Sequence, residues 1–135
     1  MSAPIELLHQ VPLFKGLDEK HLKNLSSEFT ERRFSEGQEL TAEGSGGAGF
    51  FVIESGTAKV TVDGEDRREL GPGDYYGEIA LIDGGTRTAT ITATSDGVAH
   101  GLTKWQFKPL IEMNGEIAWP LLEVMASRTR ELEQH

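Results

Sequence analysis

"GFFVIESGTAKVTVDG", residues 49–64, decides what kind of fold this chain adopts. Phe50 to Ile53 form a short apolar run bounded by glycines. After Ser55-Gly56 the pattern becomes an alternation, with Ala58, Val60 and Val62 on one face and Thr57, Lys59 and Thr61 on the other. A period of two is the pattern of a half-buried β-strand. Ser55-Gly56 and Asp63-Gly64 punctuate the passage as turns.

The same texture extends outward from about Thr30 to Thr103. Glu36-Gly37 and Pro72-Gly73 are further turn pairs, and "RTATITATSDGVAHGLT" supplies two more strands around Asp96-Gly97. Strands of about four to seven residues with turns this frequent predict a β-sandwich or barrel. Both flanks are helical. "IELLHQVPLFKGLDEKHLKNLSSEF" has Asp18 as N-cap after Gly16, with Leu22, Leu25 and Phe29 as its apolar stripe. "KWQFKPLIEMNG" reads as a short helix ended by Asn114-Gly115. "EIAWPLLEVMASRTRELEQH" reads as a longer one, with Pro120 tolerated only in its first turn and Leu121, Leu122, Met125 and Leu132 as its stripe. The expected fold is mainly β with flanking helices: an antiparallel, jelly-roll-like β-roll with one N-terminal and two C-terminal helices. The expected division is 1–29 helical, 30–103 β-roll and 104–135 helical, within one domain. There is no internal repeat, low-complexity stretch or linker.

The 135 residues fit one core, and sixteen glycines suit a turn-rich β architecture. The net charge of -9 repels phosphate backbones and argues against a nucleic-acid partner, so any anion site must be local and shielded. The absence of Cys excludes disulfides, thiolate metal sites and a Cys nucleophile. "MSAPIELLHQ" has no signal-peptide pattern, and "FFVI" and "IALI" fall far short of the ~20 residues of a membrane span. A soluble, cytoplasmic protein is expected.

"GSGGAG" (Gly44, Gly46, Gly49) matches GxGxxG, and Asp63 follows about 20 residues on, as a dinucleotide fingerprint requires. That fingerprint needs a helix after it, and here the β-like "FFVIES" follows, so a hairpin loop is the better reading. His9, His21, His100 and His135 lack metal-ligand spacing, and they read as scattered surface residues plus a half-buried His100. A cupin-like metalloenzyme is disfavoured on the same ground: only His100 falls in the β region. There is no GxSxG elbow and no carboxylate pair at an acid/base spacing, so no enzyme is expected. Glu116, Glu123, Glu131 and Glu133 read as a solvated helix face, and Trp105, Trp119 and Met125 as core.

"YYGEIALIDGGTRTAT", residues 75–90, carries the chemistry. "GEIALI" can form a helical turn opening at Gly77, whose free N–H groups suit a phosphate. Gly77 permits close approach to the backbone, and Arg87 offers a fork matching two phosphate oxygens. Glu78 would repel that phosphate but accept a sugar hydroxyl. Phosphate plus ribose means a nucleotide. The plainer reading is an internal Glu78–Arg87 ion pair bracing a tight turn, and on spacing alone the two readings stand level.

"YGEIALIDGGTRTAT" resembles the phosphate-binding cassette of cyclic nucleotide-binding domains, FGE-[IL]-A-L followed by R-[AST]-A. These domains occur in the catabolite activator protein, kinase regulatory subunits and nucleotide-gated channels. "VPLFKGLDEKHLKNL", "FSEGQELTAEG", "GFFVIESGTAKV" and "LGPGDYYGE" follow in that family's order, so the likeness covers nearly the whole chain. The resemblance implies that Arg87 pairs with the cyclic phosphate and Glu78 accepts the ribose 2′-hydroxyl. It also implies that backbone N–H groups from Gly77 through Ile79 to Ala80, and of Thr88 or Ala89, complete the cradle. The ligand would be cAMP or cGMP, with no separate cofactor. "TRTAT" is similar to the cGMP-dependent kinases, where a Thr at the position of Thr88 can bond the guanine 2-amino group. Thr is also found where cAMP is used. Tyr76 departs from the usual Phe, and the loop from Gly44 to Gly49 lacks an acidic residue often seen before the third strand. The last helix would be a lid, with Met125, Arg128, Thr129 and Leu132 on one side. It is also where family dimers pair, although this length allows only a short coiled coil. No basic helix-turn-helix follows, so the expectation is a stand-alone sensor or a piece of a larger protein, with its effector unnamed. The competing expectation is a degenerate domain that binds no nucleotide and serves as an interaction scaffold.

Overall fold

The computed structural model describes residues 3–41, 49–77, 82 and 89–134. The chain opens with α1 (Ile5–His9), a 3-10 turn at Pro12–Phe14 and α2 (Glu19–Glu28). Among the described residues eight strands follow: β1 (Thr30–Phe34), β2 (Glu39–Thr41), β3 (Gly49–Ser55), β4 (Ala58–Val62), β5 (Glu65–Leu70), β6 (Tyr75–Tyr76), β7 (Thr90–Ala93) and β8 (Gly97–Thr103). Then come α3 (Lys104–Met113), a 3-10 turn at Gly115–Ile117 and α4 (Ala118–Glu133). The strands form two four-stranded antiparallel sheets, ordered β1-β8-β3-β6 and β2-β7-β4-β5. The mainly β architecture with flanking helices is the one expected from the sequence.

The alternation in residues 57–62 becomes the inner face of β4. Ala58 pairs with Ala93 and Val60 with Ile91 across to β7, and all four side chains are buried. The β4–β5 hairpin turns at Asp63 (φ 54) and Gly64 (φ 79), a two-residue turn whose positive φ values match the twist of the strands.

β3 divides the interior in two. Phe51 and Ile53 face the opposite sheet and join Phe34, Ala58, Val60, Leu70, Ile91 and Ala99 inside the roll. Phe50 and Val52 point the other way, towards Leu8, Leu13, Phe14, Leu22, Leu25 and Phe107 of the helical segments. Phe50 takes edge contacts from Phe14 and Phe29 at centroid distances of 5.7 and 6.1 Å. The apolar run that reads as one strand therefore serves two cores, one on each face.

His100 is buried completely, at 1% exposure, rather than half-buried. It lies on β8 with Glu31 of β1 and Val52 of β3 as its cross-strand neighbours, and Nε2 meets the Glu54 carboxylate. Its strand is flanked on both sides, by β1 and β3, and the ring reaches out only to Glu54. Trp105 and Trp119 also depart from the expectation of core, standing 75% and 68% exposed. Trp105 lies two positions from buried Phe107, and Trp119 two positions from both Ile117 and Leu121. Two residues along a helix is more than half a turn, so each indole points away from the core. Leu122 and Leu132 are exposed too, and only Leu121 of the expected α4 stripe is fully buried, while Met125 packs partly against the core.

α3 starts with a capping box: Thr103 Oγ1 accepts the Gln106 N–H, and the Gln106 side chain accepts the Thr103 N–H. Gln106 Nε2 also donates to Glu28 O at the end of α2, 2.8 Å away. Thr103→Ala is expected to cost about 1 kcal/mol. Urea unfolding checks this, and a change in α3 amide shifts without loss of the β-sheet pattern marks the effect as local.

Candidate functional site

Gly77 and Ala89 are the described ends of the cassette, and they stand at different sheets. Gly77 follows β6, which pairs with β3, while Ala89 precedes β7, which lies between β2 and β4. Gly77 has φ 96, a conformation that side chains strongly disfavour, so glycine is required where the cassette begins. Ala89 is buried in the roll interior. Of the other site residues expected from the sequence, Glu78, Ile79, Ala80, Arg87 and Thr88 lie outside the described residues. So does most of the Gly44–Gly49 loop.

Two tyrosines set the approach to Gly77. Tyr75 packs against Phe50 with ring centroids 6.1 Å apart, and Tyr76 against Phe51 at 6.3 Å. One faces the helical core and the other the roll. Tyr75 and Tyr76 thus anchor the entry to the cassette on both layers.

Beside Ile82, the one described residue between the cassette ends, a cavity of about 670 Å³ opens under α3 and α4. Phe107, Ile111, Ala118, Leu121, Leu122 and Met125 line it, with Lys104, Lys108 and Glu112 also contributing. Of the expected lid residues, Met125 lies on this groove. Thr129 donates its hydroxyl to the Met125 carbonyl at 2.9 Å, and Leu132 is exposed. Leu121, Leu122 and Met125 of the expected α4 stripe line this groove, and the apolar positions Phe107 and Ile111 of α3 line it with them.

A second cluster gathers Asp18 and Glu116 around His21, which is not the surface residue the sequence suggests. His21 is mostly buried, with its Nδ1 2.8 Å from Asp18 Oδ1 and its Nε2 2.9 Å from Glu116 Oε1. Asp18 caps α2 as expected, accepting the His21 backbone N–H at 2.9 Å. That backbone N–H holds the Asp18 carboxyl below its ordinary range, with the His21 ring adding to the effect. Glu116 is likewise held low, first by its own backbone N–H and then by the His21 ring. Glu116 remains exposed, yet it bridges two elements 95 positions apart, and no local pattern announces that.

Among the described residues, no group of three or more His, Cys, Asp or Glu is placed to hold a metal ion. None of their helices is long and apolar enough to cross a membrane.

Known proteins share this architecture. The solved N-terminal domain of a transcriptional regulator from Streptomyces coelicolor A3(2) superposes with a TM-score of 0.86 at 30% identity, over 95% of this chain and 92% of that one. The cAMP-dependent protein kinase type II regulatory subunit of Drosophila melanogaster is 33% identical over 93 residues, 66% of this chain and 25% of that protein. Isozyme 2 of the cGMP-dependent protein kinase, forms cD5/T2, from the same organism is 37% identical over 101 residues, 70% of this chain and 11% of that protein. The chain thus spans a quarter or less of these two relatives. Residues 31–114 match the cyclic nucleotide-binding domain model, a span that contains the cassette and both of its flanking sheets, and the chain belongs to that family.

Proposed function

We propose that residues 1–135 act as one cytoplasmic regulatory domain that binds cAMP or cGMP at the cassette and answers by moving α3 and α4. The observation that carries this reading is the family match across residues 31–114 with Gly77, Glu78 and Arg87 all in place within it. Arg87 would take the cyclic phosphate through its fork, and Glu78 the ribose 2′-hydroxyl. Backbone N–H groups from Gly77 to Ala80, and of Thr88 or Ala89, would complete the cradle. Thr88 would bear on the choice between the two purines. The relatives divide between cAMP- and cGMP-dependent kinases, so both nucleotides stand as ligands.

The groove beside Ile82 supports the second half of the reading. Its apolar lining, from Ile82 across to α3 and α4, gives a closing helix a surface to pack on. A ligand that touches both favours the closed arrangement by its difference in affinity for the two states. The role is binding rather than catalysis, with an acidic surface that disfavours direct contact with nucleic acid. A homodimer would pair through the exposed side of α4.

Isothermal titration with cAMP, cGMP and 5′-AMP tests this. One or both cyclic forms are expected to bind at least about 10-fold tighter than 5′-AMP, a difference of about 1.4 kcal/mol. The absence of heat from either, in nucleotide-free protein, would favour the scaffold reading.

A further inference from the structure

We propose that His21 is a positioning residue that straps the turn before α4 onto α2 and makes nucleotide affinity depend on pH. This rests on the reading that the terminal helices respond to nucleotide, and it carries a test that needs no nucleotide.

The two ring nitrogens of His21 stand 2.8 and 2.9 Å from carboxylate oxygens of Asp18 and Glu116. A neutral imidazole has one N–H, whereas the protonated ring has two. Only the protonated ring offers a proton to both carboxylates, and its loss leaves a nitrogen lone pair facing an anion. Asp18 is fixed independently as the cap of α2. Glu116 belongs to the Gly115–Ile117 turn that leads directly into α4. The imidazole thus ties the start of the lid helix to a helix packed on the roll.

The charged groups acting at this site are Asp18 and Lys20 from α2 and Glu116 from the turn. α1 and α3 also pack on α2, but Glu6, His9, Lys104, Lys108 and Glu112 make no ion pair or hydrogen bond with His21 among the described residues. The two carboxylates give their stabilisation above their ordinary range, and it is lost as pH falls through their lowered values. With both carboxylates ionised, the two-sided strap needs the second ring N–H that only the charged imidazole carries.

In the strapped arrangement Leu122, which lines the groove beside Ile82, is exposed. Holding α4 there opposes closure over the cassette, so releasing the strap raises nucleotide affinity.

The test is titration of the full chain with the tighter cyclic nucleotide at about pH 6 and about pH 8, in the wild type, His21→Gln and Glu116→Gln. The wild type is expected to bind about fivefold tighter at the higher pH, and both variants to bind tightly at either pH. A wild type with no pH dependence, or variants that keep it, would overturn the proposal. Glu116 is exposed, so Glu116→Gln tests the strap even where His21→Gln fails to fold. Without nucleotide, Trp119 emission is followed against pH in a Trp105→Phe background. A shift across the imidazole range that Glu116→Gln abolishes supports the strap, and a flat signal overturns it whatever the nucleotide does.

Discussion

Arg87→Ala is expected to weaken cyclic nucleotide binding about 100-fold or more and to leave the ligand-free fold almost untouched. The magnitude follows from the contact proposed for it. A guanidinium fork on a phosphate makes two charge-assisted hydrogen bonds, and losing such a pair costs about 3 kcal/mol. That is a little over two decades of affinity. Paired titration and thermal unfolding separate this from the bracing alternative. If the nucleotide reads Arg87, affinity collapses while the ligand-free melting temperature moves by no more than about 2 °C. If Arg87 instead braces the turn by pairing with Glu78, the melting temperature falls with or without nucleotide. Arg87→Lys sharpens the comparison, since it keeps the charge and loses the fork.

Phe50→Ala should produce the largest loss of stability, about 3–5 kcal/mol. Phe50 is 1% exposed and sits where three aromatic rings, Phe14, Phe29 and Tyr75, meet within 6.1 Å. Those rings come from the Pro12–Phe14 turn, the end of α2 and β6, so one truncation opens a cavity shared by three segments. Against a total stability of about 5–15 kcal/mol this is a large fraction, and the melting temperature should fall by about 10 °C or more. A loss below about 1 kcal/mol in urea would mean that the helical layer contributes little to holding the roll.

The β-roll could be read from the sequence because its signals are local. Alternation at residues 57–62 and the Asp63-Gly64 turn fix strand, face and hairpin within a few residues of each other. The caps at Asp18 and Thr103 obey the same short-range rules. What escaped depends on distance along the chain. Trp105 and Trp119 look like core by residue type, and only the direction in which Phe107 and Leu121 point inward turns them to solvent. His100 looks half-buried until β1 and β3 close on either side of its strand. The contact between His21 and Glu116 joins the two ends of the molecule, and no spacing within either segment encodes it. The candidate site was legible as a motif around Gly77, Glu78 and Arg87, whereas the groove under α3 and α4 required the fold.

The division of labour along β3 also bears on how the molecule opens. Phe50 and Val52 belong to one buried cluster, and Phe51 and Ile53 to the other. A strand that serves as the wall between two interiors lets one of them dissolve while the other persists. The helical layer can detach as a cooperative unit, exposing one face of β3 and β8, while Val60, Ile91 and Leu70 remain enclosed. In native-state hydrogen exchange, amides of α1, α2 and α3 should then exchange together through a partial opening. Those of β4 and β7 should wait for global unfolding. Such a partially opened form would be a sparsely populated conformer available to selection by a partner.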